Sequence, residues 1–276
     1  MKTRRQLADE RGRGRGRDVR RAAAFTMVEI AICIAIVAFA MVAIIGVMPT
    51  GFQVQKQNRE DTIINQEGNF WLDTLRSGAV GLDYLTNYVE MIHSETLHKR
   101  PQDTKFRQMI ADFSYGPGYR NGRDIVGLLS LPRFYEVGGH VVRTPSLYAY
   151  VRALSGSAAE KTPRNDFAFM YRLTPELTQF NPAAGLNTNF AERNIAAAEA
   201  AARSNLFVRA NALKANLYEL RLTLEWPVYT RNGRLTVGGQ RKVFRTLVGG
   251  SYWMTNVDYL ARRDLFFLQP SEYVGD

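Results

Sequence analysis

The stretch RRAAAFTMVEIAICIAIVAFAMVAIIGVMPTGF, Arg20 to Phe52, decides how the rest of the chain is read. From Ile30 to Met48 it runs 19 residues without a charge or a strong hydrogen-bonding side chain. As a helix rising 1.5 Å per residue this spans roughly 29 Å, the hydrocarbon thickness of a bilayer. One carboxylate, Glu29, stands at its entrance, and Lys56 is the next charge. An ionised side chain inside a membrane segment costs about 2.5–3.5 kcal/mol on insertion scales, so Glu29 calls for a partner or a role.

What precedes this stretch is basic. Residues 1–24 carry nine Lys/Arg against Asp9, Glu10 and Asp18, a balance of +6 out of +10 for the whole chain. The remaining 252 residues hold +4, an ordinary value for a soluble domain, so the high pI mostly describes a tail and is weak evidence for a nucleic-acid-binding fold. The RGRGRGR repeat at Arg11–Arg17 has the composition of a basic nucleic-acid-binding segment, but in front of an apolar export segment it reads rather as a topology signal able to touch anionic lipid. Basic residues stay on the cytoplasmic side. The expectation is therefore a single pass of the inner (cytoplasmic) membrane, with the leader cytoplasmic and everything after Pro49 periplasmic or otherwise exported.

Ordinary export signals account for this only in part. Ala38-Phe39-Ala40 matches the small-x-small pattern of a secretory cleavage site, but it lies mid-run with eight apolar residues still to follow. Arg20-Arg21 is a weak match to a twin-arginine signal. A plain signal anchor explains the hydrophobicity and the charge bias, but leaves Glu29 without a reason.

The segment AFTMVEIAICIAIVAFAMVAII resembles the prepilin N-terminal segment of type IV pilins and type II secretion pseudopilins. In that family a basic leader ends in a small residue, and the mature chain opens Phe-Thr-x-x-Glu before about twenty apolar residues. Phe25, Thr26, Met27, Val28 and Glu29 hold those five positions, and Ala24 stands where the family usually has Gly. The resemblance covers roughly residues 20–55. It implies cleavage between Ala24 and Phe25, N-methylation of Phe25, and assembly through the Glu29 carboxylate. The implied partners are a prepilin peptidase/methyltransferase, other pilin or pseudopilin subunits, an inner-membrane assembly platform and the lipid bilayer.

The chemistry of Glu29 can be reasoned independently of that resemblance. Cleavage before Phe25 creates a new α-amine. In a staggered bundle of such helices, the Glu29 carboxylate of one subunit could meet the Phe25 amine of a neighbour, pairing two charges in a low-dielectric core. The plainer alternative has Glu29 reaching back to the cytoplasmic headgroups.

The exported part has the means to fold. The chain is 46% hydrophobic with 15 Phe and 13 Tyr, enough for a packed core. Cys33 is the single cysteine, so no intramolecular disulfide forms. One Cys with His93, His98 and His140 argues against a structural zinc site. Gly-x-Ser-x-Gly, His-Glu-x-x-His, Walker A and EF-hand patterns are absent. Asp112, Asp124, Asp166 and Asp258 are scattered, with no Asp-rich loop to hold calcium. The expectation is a non-enzyme without cofactor or metal.

Patterning then divides the chain. One helix is predicted from Phe25 to Arg76, with Pro49 and Gly51 marking a kink and Gly78 and Gly81 its end; Phe52, Ile63, Phe70 and Leu75 supply an intermittent apolar face beyond the membrane. A second helix is predicted at Leu82–Leu97, where Leu82, Leu85, Val89 and Ile92 keep a 3–4 spacing, with His93 and His98 on its surface. GPGYRNG (Gly116–Gly122) reads as a loop. Strands are predicted at Asp124–Leu131, Leu147–Leu154, Phe167–Leu173 and Leu217–Tyr229. The last turns at Asn232-Gly233 into partner strands over Leu235–Tyr252. The Ala-rich Phe190–Ala215 is predicted to be helical.

The domain reading is a basic leader (1–24), a transmembrane or fibre-core helix (25–48), its amphipathic continuation (49–76) and an exported head (77–276). The fold class is α+β: a long N-terminal helix and then a head with an antiparallel sheet. The function expected from the resemblance is a structural subunit, a pseudopilin or minor pilin, since the head is large for a major subunit. The alternative is a single-pass anchored protein with an exported ligand- or DNA-binding head.

Overall fold

The structure, a computed structural model, describes residues 26–78, 82–114, 116, 119–154, 169–182, 196–257 and 263–274. The fold is α+β, with a long apolar helix preceding an antiparallel sheet domain in the chain. Two compact units divide it, Met1–Lys56 and Gln57–Asp276, and helix α1 (Met27–Ser77) contributes to both.

In the first unit every described residue is exposed and helical from Met27 onward. Pro49 removes one backbone donor but does not end the helix, and Thr50 Oγ1 donates to the Val47 carbonyl at 2.6 Å beside it. This is the one helix among the described residues long and apolar enough to cross a membrane.

In the second unit α1 turns one face inward. Ile63, Ile64, Glu67, Gly68, Trp71, Thr74 and Leu75 are buried, a 3–4 spacing that lays a single stripe on the sheet. Of the four residues expected to form this face, Ile63 and Leu75 are buried and Phe70 packs at its margin. Phe52 belongs to the exposed part instead. Gly68 lies so close to Phe244 that a Cβ there would collide with the ring. Gly78 ends the helix in the left-handed region (φ 58°), where glycine pays no steric cost, and its N–H bonds the Leu75 carbonyl.

The sheet is antiparallel throughout. Its order is β2 (Arg107–Ser114), β1 (Val89–Lys99), β4 (His140–Arg152), β5 (Met170–Gln179), β6 (Leu217–Arg231) and β7 (Arg234–Gly249), with β3 (Phe134–Val137) also paired to β4. Alternation sends Leu220, Leu222, Leu224 and Trp226 of β6 into the core beneath α1, as the sequence predicts. The β6–β7 hairpin turns at Asn232 (φ 52°) and Gly233 (φ 72°), the positive φ pair that a two-residue turn requires. A short helix α2 (Gly122–Leu129) and a two-stranded sheet, β8 (Ser251–Val257) with β9 (Arg263–Gln269), add Ile125, Val126, Leu265 and Phe266 to the same core. Helix α3 (Ala197–Asn216) buries Ala210 alone.

Two predicted elements have the wrong type. Leu82–Leu97 is not a helix: a 3-10 turn at Asp83–Asn87 leads into strand β1. A bulge at Glu90 is the cause, since the extra residue brings Val89 and Ile92, three apart, onto one face and mimics helical spacing. Asp124–Leu131 is not a strand. Asn121 caps α2 by accepting the Asp124 N–H at 2.9 Å, and Asp124 accepts the Arg120 N–H at 3.0 Å. The apolar run is buried all round, so alternation carried no information there. Strand β4 is longer than predicted, and β5 begins at Met170 and continues to Gln179; Phe167 and the start of the Ala-rich helix lie outside the described residues. Within GPGYRNG, Tyr119 is fully buried and donates to the Val89 carbonyl.

Candidate functional site

Of the six residues singled out at the N-terminus, Thr26, Met27, Val28 and Glu29 fall within the structure, while Ala24 and Phe25 lie outside the described residues. Thr26 immediately precedes α1 and Glu29 is its third helical residue. The Glu29 N–H donates to Thr26 Oγ1 at 3.3 Å, and Glu29 Oε2 accepts the Thr26 N–H at 3.4 Å. These reciprocal bonds form a capping box, Thr-x-x-Glu, which satisfies two of the four backbone donors that every helix start leaves open. The carboxylate also sits in the first turn, where the helix dipole favours negative charge.

The sequence reading did not include this role, although the Thr-x-x-Glu spacing ahead of an apolar run is its sequence signature. Beyond the cap the apolar side chains stay exposed, Phe39, Val42 and Ile45 most prominently, and Cys33 is exposed among them.

In the head the structure assembles polar arrangements that no motif announced. Glu67, on the buried stripe of α1, accepts the Tyr171 hydroxyl at 2.7 Å and the Leu154 N–H at 2.8 Å, and Trp71 Nε1 donates to Tyr171 Oη at 2.7 Å. Burial, and then the neighbouring Glu67 charge, push the Tyr171 hydroxyl well above its ordinary pKa. The network ties the helix to β5 and to the end of β4, and its chemistry is structural. Its sequence signal was a carboxylate at helical spacing among Ile63, Ile64 and Trp71.

The face of the sheet away from α1 carries a second row. His93 Nδ1 and Asp112 Oδ1 are 2.6 Å apart, His93 stacks on Tyr148 with centroids 4.7 Å apart, the Arg172 guanidinium lies 5.5 Å from the Tyr148 ring, and Arg172 Nε donates to Glu225 at 2.7 Å. Partial burial, then Tyr150 and Asp112, raise the Tyr148 pKa. His98, on the opposite face of β1, meets Thr96 at 3.0 Å, so the two histidines do not converge. No three His, Cys, Asp or Glu residues come together as metal ligands among the described residues. Each of these side chains is engaged by its neighbours in the row.

Comparison with protein-family models, with curated proteins and with solved structures finds no match to this chain.

Proposed function

We propose that this chain is a non-enzymatic, pilin-like subunit, a pseudopilin or minor pilin, processed at its N-terminus and assembled through its first helix. The observation that carries this reading is Thr26–Glu29 opening a helix whose apolar surface is exposed throughout its first unit. Such a surface needs a non-aqueous surrounding, which a bilayer supplies first and a fibre of like helices can supply afterwards. The basic leader holds the N-terminus in the cytoplasm while the head is exported. A membrane-embedded prepilin peptidase cuts between Ala24 and Phe25 and methylates Phe25. The helix then moves from the bilayer into the fibre, guided by pairing of Glu29 with a neighbour's Phe25 amine.

A second reading, an anchored protein that never assembles, draws support from the capping box, because Glu29 has a hydrogen-bonding role within its own helix. Mass spectrometry of the cellular protein separates the two: a methylated Phe25 supports the subunit, and an intact leader refutes it. Substitution at Glu29 then isolates the charge. A capping box accepts Gln in place of Glu but Gln carries no charge. Pairing predicts that Glu29→Gln and Glu29→Leu both insert in the membrane and both fail to enter filaments. If Glu29→Gln assembles normally while Glu29→Leu does not, the cap is the essential role and the pairing is lost.

A further inference from the structure

Three elements meet near the Ser251–Gln269 end of the β8–β9 hairpin. Trp253 and Phe267 stand directly opposite each other on it and share one face. Gly127 of α2 lies so close to Phe267 that a Cβ there would collide with the ring, so the helix rests on that face. The end of α1 comes as near, since a Cβ on Gly78 would strike the Leu268 carbonyl. A pocket of about 150 Å³ opens here, with Ser77, Arg123, Trp253, Phe267, Gln269 and Ser271 in its wall. The Arg123 guanidinium lies 5.5 Å from the Trp253 ring and 5.3 Å from the Phe267 ring, and among the described residues no carboxylate or carbonyl accepts from it. The rings hold the cation in place but take none of its five N–H donors. Gln269 Oε1 accepts from Ser251 Oγ at 3.4 Å, which leaves its Nε2 donors for the pocket. No Asp or Glu lines the wall. One fixed cation with amide and hydroxyl donors and no acid is complementary to an anion.

We propose that this pocket binds a small monocarboxylate, its oxygens on Arg123 and its carbon body against Trp253. A planar guanidinium meets a carboxylate through two parallel N–H bonds, which a single arginine can supply. Inorganic phosphate carries up to two charges at neutral pH, and Arg123 is the only Lys or Arg in the wall among the described residues. The end of α1 is the negative end of its helix dipole, so the charge sits at Arg123 rather than at Ser77. The volume matches about five water molecules, room for a carboxylate with a short carbon body and too little for a fatty chain. This inference stands apart from processing and fibre assembly, since an anchored protein that never assembles would present the same pocket.

The test titrates propionate into the full chain in a neutral detergent and follows tryptophan fluorescence. Trp71 and Trp226 are buried, so Trp253, 43% exposed, is the ring whose emission a ligand alters. Propionate should give a saturable change with a midpoint at about 1–10 mM, and propionamide, of similar shape without the charge, should need about tenfold more or better. Arg123→Met keeps an apolar stem against the rings and removes the charge; it should weaken propionate about tenfold or more with the thermal unfolding midpoint nearly unchanged. Arg123→Lys keeps the charge without the two-pronged geometry and should fall between Arg123→Met and wild type. No saturable response to propionate, an equal response to propionamide, an undiminished response in Arg123→Met, or a lower midpoint for inorganic phosphate than for propionate would each overturn the inference.

Discussion

The two stretches of α1 make an instructive pair, Met27–Lys56 against Gln57–Ser77. The first is almost entirely apolar and wholly exposed within the chain, whereas the second is rich in polar residues and holds part of the core. Hydrophobicity and burial are therefore inverted along one continuous helix. The first stretch keeps its apolar side chains exposed along its whole length, and it is long and apolar enough to cross a membrane. The second needs few apolar residues, because a single stripe at 3–4 spacing reaches the sheet while the polar residues face water. Being helical says little about what a helix is for; the unmet surface says more.

Substitutions can break or sharpen this contrast. The largest effect is expected at Trp71, which is fully buried and donates to Tyr171. Trp71→Ala should destabilise the head by about 3–5 kcal/mol in chemical denaturation of the detergent-solubilised chain. A loss below about 1 kcal/mol would mean that the second stretch is not part of the core.

Next comes Tyr171→Phe, which leaves Glu67 short of one donor and Trp71 Nε1 without its acceptor. A cost of about 2–3 kcal/mol is expected by the same measurement. The same hydroxyl sets a pH dependence. Its folded pKa is raised by burial and by Glu67, as that of Tyr252 is raised by burial. Below about pH 10 the folded and unfolded chains both keep these protons; above it the unfolded chain releases them first. Stability should fall as pH climbs past about 10, and Tyr171→Phe should flatten part of that fall. A decline equally steep in Tyr171→Phe would place its cause elsewhere.

The smallest effect is expected in the first stretch. Phe39→Ala removes a large side chain, but one exposed within the chain. Head stability should stay within about 0.5 kcal/mol of wild type. A larger change would tie the first stretch to the head's core and erase the contrast.

The elements differ in how legible they were. The β6–β7 hairpin could be read directly, because strict alternation and Asn232-Gly233 are local signals that tertiary packing did not override. Strand β1 was misread because one bulge at Glu90 gave helical spacing to Val89 and Ile92. Helix α2 was misread because every position from Ile125 to Leu129 is buried, which erases any period. At the N-terminus the motif residues were visible in order and spacing, yet the cap that Thr26 and Glu29 form was not foreseen.

By itself, the sequence determined the long helix, its apolar first stretch, the sign of the charge before it and the late hairpin, since each follows from composition or periodicity over neighbouring residues. Only the tertiary structure decided that Glu67 is buried against Tyr171 and that His93 meets Asp112 across 19 positions in the chain. The physical reason is that local patterns record which face of an element avoids water. Which element covers that face is settled only when distant segments compete to pack on it.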